Sequence, residues 1–295
     1  MTLRHLRIFV TVCDTGGVTA AARALYMAQP SVSLALQELE GYYGVPFFDR
    51  IARRLHLTQA GERFLTYARH ILTLYEEMER SVRNLDGAGF LRVGASITCG
   101  TCLMPQLAQA FARQFPQVEL RVTVDNSNSL QQRVMENRLD LALVEGVSPW
   151  DKLETIPFLT DELVVLCPAD DPAAEQGVIT LEQLSQARLL LREEGSGTRE
   201  LIDSVMRVEG CTLHPVWESI STGAILSAVR AGLGLTILPE RLAREEVRQG
   251  RVRRLAVEGV RFPRNLSVVY HEHKFLSPSA QYLIGLCQKL GQQEL

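Results

Sequence analysis

From Val18 to Tyr43 the chain reads VTAAARALYMAQPSVSLALQELEGYY, and its apolar positions keep helical spacing twice over. Ala21, Ala22 and Leu25 fall on one face of a first short helix, where alanine lets a second helix come close. That second helix is predicted to begin at Pro30, whose missing N–H has no intrahelical partner to lose. Its apolar face is Val32, Ala35, Leu36 and Leu39. Ser31, Ser33, Leu34 and Gln37 occupy the opposite face; the polar ones are hydroxyls and an amide, without formal charge. Two close-packed helices of this kind suit the reading of base edges in a major groove, although the pattern alone also fits a plain helical hairpin. Val45 to Leu57 (VPFFDRIARRLHL) then predicts a β-hairpin bearing Arg50, Arg53 and Arg54, a basic wing suited to phosphate or minor-groove contacts.

A longer helix follows. Thr58 is its predicted N-cap, and Glu62 suits the positive end of its dipole. Phe64, Ala68, Ile71, Tyr75, Met78, Val82 and Leu85 alternate steps of four and three, a heptad seam that predicts a coiled-coil-like contact with a second copy. The competing reading packs this helix on its own domain. Arg69, Glu76, Glu77, Arg80 and Arg83 flank the seam and leave one apolar stripe, which favours the dimer. Asp86-Gly87-Ala88-Gly89 ends the helix and marks the clearest domain boundary.

From Phe90 onward strands and helices alternate. Strands are predicted at 91–95, 118–124, 139–144, 163–167, 189–191, 235–238 and 266–270. Helices are predicted at 104–113, 130–136, 181–185, 198–208, 222–231 and 278–290. This alternation implies α/β layers with parallel strand pairs.

Charge sharpens the division. Over the 295 residues the net charge is −3, so no global basic field points to nucleic acid. Residues 1–58, however, hold six Arg against Asp14, Glu38, Glu40 and Asp49, a net of +2 that leaves −5 for the rest. A basic head on an acidic body fits site-specific DNA binding. The N-terminus reads as an amphipathic helix and not as a signal peptide, and no stretch approaches the roughly 18 apolar residues of a membrane span. The six cysteines are scattered and do not form a disulfide framework, so a cytoplasmic protein is expected.

Three places put hydroxyls and backbone amides at predicted helix starts: Ser96-Ile97-Thr98, Gly195-Ser196-Gly197-Thr198-Arg199, and Ser219 to Gly223. Unsatisfied N–H groups and the dipole make such starts attractive to anions, and Arg199 would add a fork of donors. The bland alternative is that Ser and Thr merely cap helices. GSGTR lacks the Gly-Lys-Ser/Thr ending of a P-loop. Asp125-Asn126-Ser127-Asn128 adds polar groups at a strand's C-terminal end. Cys99-Gly100-Thr101-Cys102 raises a redox-sensing alternative, since a thiolate at a helix start is stabilised. His271 and His273 share a strand face, but two imidazoles make a weak metal case. No catalytic constellation is visible, so no enzyme, metal or cofactor is expected; an α/β ligand-binding module or enzyme with an incidental helical N-terminus stands as the different-class alternative.

The first sixty residues resemble the winged helix-turn-helix of LysR-type transcriptional regulators at Leu3, Leu6, Phe9, Gly17, Ala21–Ala22, Leu25, Gln29–Ser33, Leu39–Glu40, Gly44–Val45, Phe47–Phe48, Arg50, Arg53–Arg54, Leu57–Thr58 and Ala60–Gly61. Tyr26–Met27–Ala28 departs from the family pattern, which leaves the DNA sequence preference open. The likeness continues at Leu103–Pro105, Phe111, Phe115–Pro116, Leu139–Ala142, Gly195–Ser196, Val229, Gly232–Gly234 and Leu238–Pro239. GAS-x-T and LREEGSGTRE look most like the regulators of sulfur assimilation and their carbon-assimilation relatives. The resemblance implies an α+β multidomain chain: a winged helix-turn-helix (1–58), a long dimerisation helix (59–86), and an effector-binding domain of periplasmic-binding-protein type (90–295). In that domain subdomain I (90–160 and 267–295) and subdomain II (161–266) flank a ligand cleft, with crossings near Leu159–Glu162 and Phe262–Leu266.

The same resemblance implies DNA contacts from Gln29, Pro30, Ser31, Ser33, Leu34, Gln37, Arg50, Arg53 and Arg54. It implies an effector cleft lined by Ser96, Ile97, Thr98, Thr101, Asn126, Glu145, Ser196, Gly197, Thr198, Arg199, Ser221, Thr222 and Gly223. The expected partners are double-stranded promoter DNA, a small anionic effector and further copies of the chain, as a dimer or a dimer of dimers. RNA polymerase is a further partner that the class allows, and no membrane is expected.

Overall fold

Leu6, Ile8, Phe9 and Val12 repeat at helical spacing, and they are the residues that the first helix buries in the computed structural model. The structure describes residues 1–51, 54–83, 89–146, 148 and 150–293. It divides into two units, Met1–Gly89 with Met135–Arg138, and Phe90–Val134 with Leu139–Leu295.

In the first unit α1 (Leu3–Thr15), α2 (Val18–Ala24) and α3 (Gln29–Tyr43) are followed by the hairpin β1 (Phe48–Ile51) and β2 (Arg54–Leu57), then α4 (Gln59–Arg83). Phe9 is fully buried, with its ring 5.4 Å from Phe47, 5.1 Å from Phe48 and 4.9 Å from Phe64. Ala21, Ala22, Val32, Ala35, Leu36 and Leu39 complete this core. Glu40 of α3 accepts the N–H groups of Phe47 (2.7 Å) and Phe48 (3.2 Å), which ties the hairpin to the helix. Thr58 caps α4, its hydroxyl accepting from the Gly61 N–H at 3.0 Å.

The seam expected on α4 needs a correction. Phe64 and Ala68 pack against the chain's own Leu6 and Leu72, because α4 lies along α1 and shares its apolar side. Ile71 and Met78 of the expected seam are exposed, and with Tyr67 and Leu74 they form a stripe, each residue 40–53% exposed, at heptad spacing. Tyr75 is half-buried and donates to Glu79 at 3.0 Å. Leu85 and the side chain of Val82 lie outside the described residues.

The second unit runs β3 (Gly89–Ala95), α5 (Ile97–Cys102), α6 (Met104–Gln114), β4 (Val118–Val124), α7 (Ser127–Met135), β5 (Leu141–Glu145), β6 (Leu153–Pro168), α8 (Pro172–Gln176), β7 (Val178–Ile179) and α9 (Leu181–Gln186). It continues with β8 (Leu189–Arg192), α10 (Gly197–Val208), β9 (Pro215–Ser219), α11 (Thr222–Arg230), β10 (Thr236–Pro239), α12 (Glu240–Arg248), β11 (Val252–Val257), β12 (Phe262–His271) and α13 (Pro278–Gln293). The main sheet has the order β4-β3-β5-β12-β6-β11-β7, with β10 also on β6. Parallel pairs occur at β3–β5, β8–β9 and β7–β11.

One strand serves two cores. The first half of β6 pairs with Leu266–His271 of β12 and covers a core built from β3, β5, α6 and α13. Its second half pairs with β10 and β11 over a core of Leu163, Val165, Leu184, Leu191 and Ile202. Two lobes therefore hang on β6 and β12, and the antiparallel register shifts between Leu266 and Ser267 as the strands pass between them. The sequence predicted only 163–167 for β6. Residues 153–162 include Pro157 and three carboxylates (Glu154, Asp161, Glu162), and proline is tolerated because this half pairs on one side alone.

Two glycines on α13 make opposite predictions. A Cβ on Gly285 meets nothing, whereas one on Gly291 falls on the Phe158 carbonyl oxygen. Gly285→Ala should stabilise the protein by about 0.5–1 kcal/mol through helix propensity. Gly291→Ala should destabilise it by about 1–3 kcal/mol through overpacking against backbone. Thermal unfolding followed by circular dichroism checks both signs; equal shifts would refute the packing of α13.

Candidate functional site

The reading face of α3 is built by its own amphipathicity. Val32, Ala35, Leu36 and Leu39 anchor the helix, which leaves Gln29, Pro30, Ser31, Leu34 and Gln37 exposed and Ser33 half-buried. The helix begins at Gln29, one residue before its predicted start; its N-cap Ala28 makes no side-chain cap, Pro30 has no N–H, and the Ser31 N–H donates to the Ala28 carbonyl at 3.0 Å. Tyr26 was not expected here. It sits in the turn before α3 at φ 53° and is 98% exposed, and only its departure from the family pattern signalled it. Arg53 and the side chains of Arg50 and Arg54 lie outside the described residues.

Between the lobes of the second unit the structure brings together Thr98, Glu145 and Thr198 around Arg264. The Arg264 side chain is 1% exposed. Its Nη2 donates to Thr98 Oγ1 on α5 at 3.0 Å, and its Nη1 donates to Thr198 Oγ1 on α10, also at 3.0 Å. Nε and Nη2 donate to Asp161 Oδ2 at 3.0 and 2.7 Å. Glu145 Oε1 stands 3.6 Å from Nη1, while its Oε2 accepts from Ser127 Oγ at 2.8 Å. Burial pushes the Glu145 carboxyl up, but the Arg264 charge and the hydroxyls of Thr98, Ser127 and Ser96 together hold it below its ordinary value. The site is thus a buried guanidinium shared by both lobes, with ionised Glu145 beside it.

Gly197 lets the lobes meet. A Cβ there would stand 2.8 Å from the Glu145 carbonyl oxygen and 3.1 Å from Ser127 Oγ. One turn away the Asn128 N–H donates to the Gly195 carbonyl at 3.2 Å. Ser96 is buried and caps α5, a short separate helix that the sequence did not predict. Ser196 and Thr222 are buried, Ile97 and Asn126 half-buried, and Thr101, Ser221 and Gly223 exposed. Asn126 Oδ1 accepts from the Ser129 N–H, and Ser221 Oγ accepts from the Ala224 N–H, so both act as helix caps.

Arg199 is a correction. Its guanidinium is engaged by Asp203 (2.9 Å), Glu218 (2.9 Å) and the Arg192 carbonyl (3.2 Å), because it lies one helical turn from Asp203 and over the end of β9. The cation at the lobe junction is Arg264, with Asp161 as its partner; sequence reasoning named neither. A signal existed: Phe262, Arg264 and Leu266 fall on one face of a strand, and that face is buried.

The cysteine alternative meets a different environment from the one expected. Cys99 is fully buried in the apolar core, and burial pushes its thiol up instead of favouring a thiolate. Burial also raises Cys102, against the opposing charges of Arg241, Arg244 and Arg264. The His271 and His273 rings lie 5.6 Å apart, and no group of three or more His, Cys, Asp or Glu poised for a metal occurs among the described residues. No helix is long and apolar enough to cross a membrane among those residues.

A winged helix-turn-helix joined through a long helix to a two-lobed α/β domain is the build of a ligand-responsive transcriptional regulator. Residues 3–62 match the family of bacterial regulatory helix-turn-helix proteins, lysR family, and residues 86–292 match the LysR substrate binding domain. The chain belongs to the LysR family, and it is a DNA-binding transcriptional regulator, not an enzyme. It is 34% identical to the uncharacterized HTH-type transcriptional regulator YeiE of Escherichia coli K12, over 97% of each chain. It is also 34% identical to the RuBisCO operon transcriptional regulator of Allochromatium vinosum, over 95% of this chain and 93% of that one. Among solved structures it is similar to full-length OxyR of Pseudomonas aeruginosa (27% identity, TM-score 0.72, covering 99% of this chain and 95% of that one). It is similar as well to the CcmR regulatory domain of Synechocystis in complex with 2-PG (25% identity, TM-score 0.64, 69% and 98% covered).

The carboxylate sets a pH dependence. Because the folded protein holds Glu145 below its ordinary value of 4.5, its contribution to stability is complete above that value and is lost as pH falls through the depressed one. Asp140, buried but bound by Arg92 and Lys274, carries the same sign. Denaturant unfolding should therefore show stability falling below about pH 4.5, with a shallower fall in Glu145→Gln. Superimposable slopes would show that Glu145 carries no such charge.

Proposed function

We propose that the chain binds a two-fold-symmetric promoter site as a dimer and changes its grip when a small anion occupies the space between the lobes. The divisions 1–58, 59–86 and 90–295 serve reading, pairing and sensing, with subdomains 90–160 plus 267–295 and 161–266 forming the two lobes. Gln29, Ser31, Ser33 and Gln37 read base edges, and Arg50, Arg53 and Arg54 contact backbone phosphates. The exposed stripe Tyr67, Ile71, Leu74 and Met78 supports pairing along α4. Pairing of these dimers into a tetramer, and contact with RNA polymerase, extend the same reading.

The single observation that carries the effector reading is the Thr98–Arg264–Thr198 bridge, in which one buried guanidinium spans two lobes. An anion that accepts from Arg264 competes with Glu145, its more loosely held neighbour at 3.6 Å, and takes up donors from Ser96, Thr98 and the first turn of α10. The Thr222 hydroxyl, buried without a hydrogen-bond partner among the described residues, is a further group that a ligand would satisfy. Similarity to a regulatory domain solved with 2-PG supports a small ligand in this domain. Effector binding alters DNA affinity only by favouring one lobe arrangement over another.

Two measurements test the halves separately. Gln29→Ala or Ser33→Ala should weaken specific promoter binding by about 1–3 kcal/mol and spare non-specific affinity, whereas Arg53→Ala and Arg54→Ala should weaken both and flatten the salt dependence. Fluorescence anisotropy across a salt series reads the difference, and unchanged promoter affinity in Gln29→Ala would count against α3 as the reader. For the effector, a thermal-shift screen of small anions should find a stabilising ligand in the natural sequence that Thr198→Ala no longer recognises, with DNA binding kept. A response retained in Thr198→Ala sinks the assignment.

A further inference from the structure

We propose that the chain carries a second anion site, separate from the space between Thr98 and Thr198, in a cavity beside the strand crossing. The cavity has a volume of about 370 Å³ and is walled by Asp161 and Glu162 of β6, Glu240, Arg241 and Arg244 of α12, and Arg261. Its size falls toward the lower end of small-molecule pockets, roughly 300–1,000 Å³.

The cavity's own charges are matched, three guanidiniums (Arg241, Arg244, Arg261) against three carboxylates (Asp161, Glu162, Glu240), but they are not all paired with one another. Glu162 accepts from Arg261 at 3.1 Å, and Glu240 accepts from Arg254 at 3.1 Å. Asp161 gives Oδ2 to Arg264 at 2.7 Å and presents Oδ1 to Arg241 at 3.4 Å. Arg244 is exposed and makes no ion pair or hydrogen bond among the described residues. Arg264 and Arg254, which do not line the cavity, thus engage Asp161 and Glu240 from outside it, and Arg244 is left without a carboxylate among the described residues. The first turn of α12 lines the same cavity, and its N-cap, Pro239, supplies no side-chain cap, so that end of a nine-residue helix adds open N–H donors.

These walls select the ligand class. An apolar molecule would strand the charges, and a cation would meet Arg244. A small polyanion, phosphorylated or polycarboxylic, satisfies the unpaired guanidinium and the helix terminus together. Asp161 separates the two anion sites, one oxygen turned to each, so this proposal stands whether or not the space between the lobes binds an effector.

Calorimetric titration of the full chain with inorganic pyrophosphate and, separately, with citrate tests the idea and tells phosphate from carboxylate ligands. At least one probe should bind, about tenfold or more weaker in Arg244→Glu and nearly unchanged in Arg244→Lys. Thr98→Ala should bind it as the natural sequence does. Because Arg244 is exposed and unpaired, Arg244→Glu should unfold at the natural temperature, so a loss of binding reports on the site. Absence of binding by both probes overturns the proposal, as does unchanged affinity in Arg244→Glu. A loss confined to Thr98→Ala, or shared equally by both variants, assigns the anion to the lobe junction and overturns it too.

Discussion

A guanidinium with 1% of its side chain exposed must be paired or the fold pays heavily for it, and at Arg264 the partners come from several elements. Asp161 belongs to the neighbouring crossing strand, Glu145 to the end of β5, Thr98 to α5 and Thr198 to α10. The two threonines stand on different lobes, so the geometry that satisfies this one charge also fixes how the lobes sit. Sliding them apart would leave ionised groups facing an apolar interior with too few partners. The arrangement is therefore a choice among a few discrete packings and not a continuum. That is the property a regulatory domain requires.

Backbone contact reinforces the choice. Gly197 allows α10 to abut the Glu145 carbonyl with no side chain between them, while Asn128 and Gly195 share a hydrogen bond beside it. Polar grip and close approach converge at the same edge. The long strands β6 and β12 complete the frame, since each contributes to both cores and neither lobe can turn without bending them.

What the sequence disclosed follows from where local pattern and tertiary need agree. In α3 the apolar spacing, Pro30 and the small polar face all point the same way, and the helix emerges within one residue of its expected start. Thr98, Glu145 and Thr198 were legible as helix-start hydroxyls and a strand-end carboxylate on the family pattern. Arg264 was hidden because a charged residue in a strand reads as solvent-facing, and only its alternation with Phe262 and Leu266 betrays a buried position. The first half of β6 was hidden for a related reason: Pro157, with Glu154, Asp161 and Glu162 toward the ends of the segment, masks a strand that is stabilised from one side only. On α4 the exposed stripe keeps Ile71 and Met78 of the expected seam but not Phe64 and Ala68. A heptad pattern does not say which partner takes which stripe, and here α1 of the same chain takes Phe64 and Ala68.

Glu40 binds two consecutive amides at the root of the hairpin, with its carboxylate projecting from the helix that carries the reading face. Helix and hairpin root are thereby locked into one rigid body, and the angle between them is not available for adjustment. A lineage of such proteins must then change its preferred operator by exchanging side chains such as Gln29, Ser33 or Tyr26 in place, since re-aiming the helix would cost both amide bonds at once.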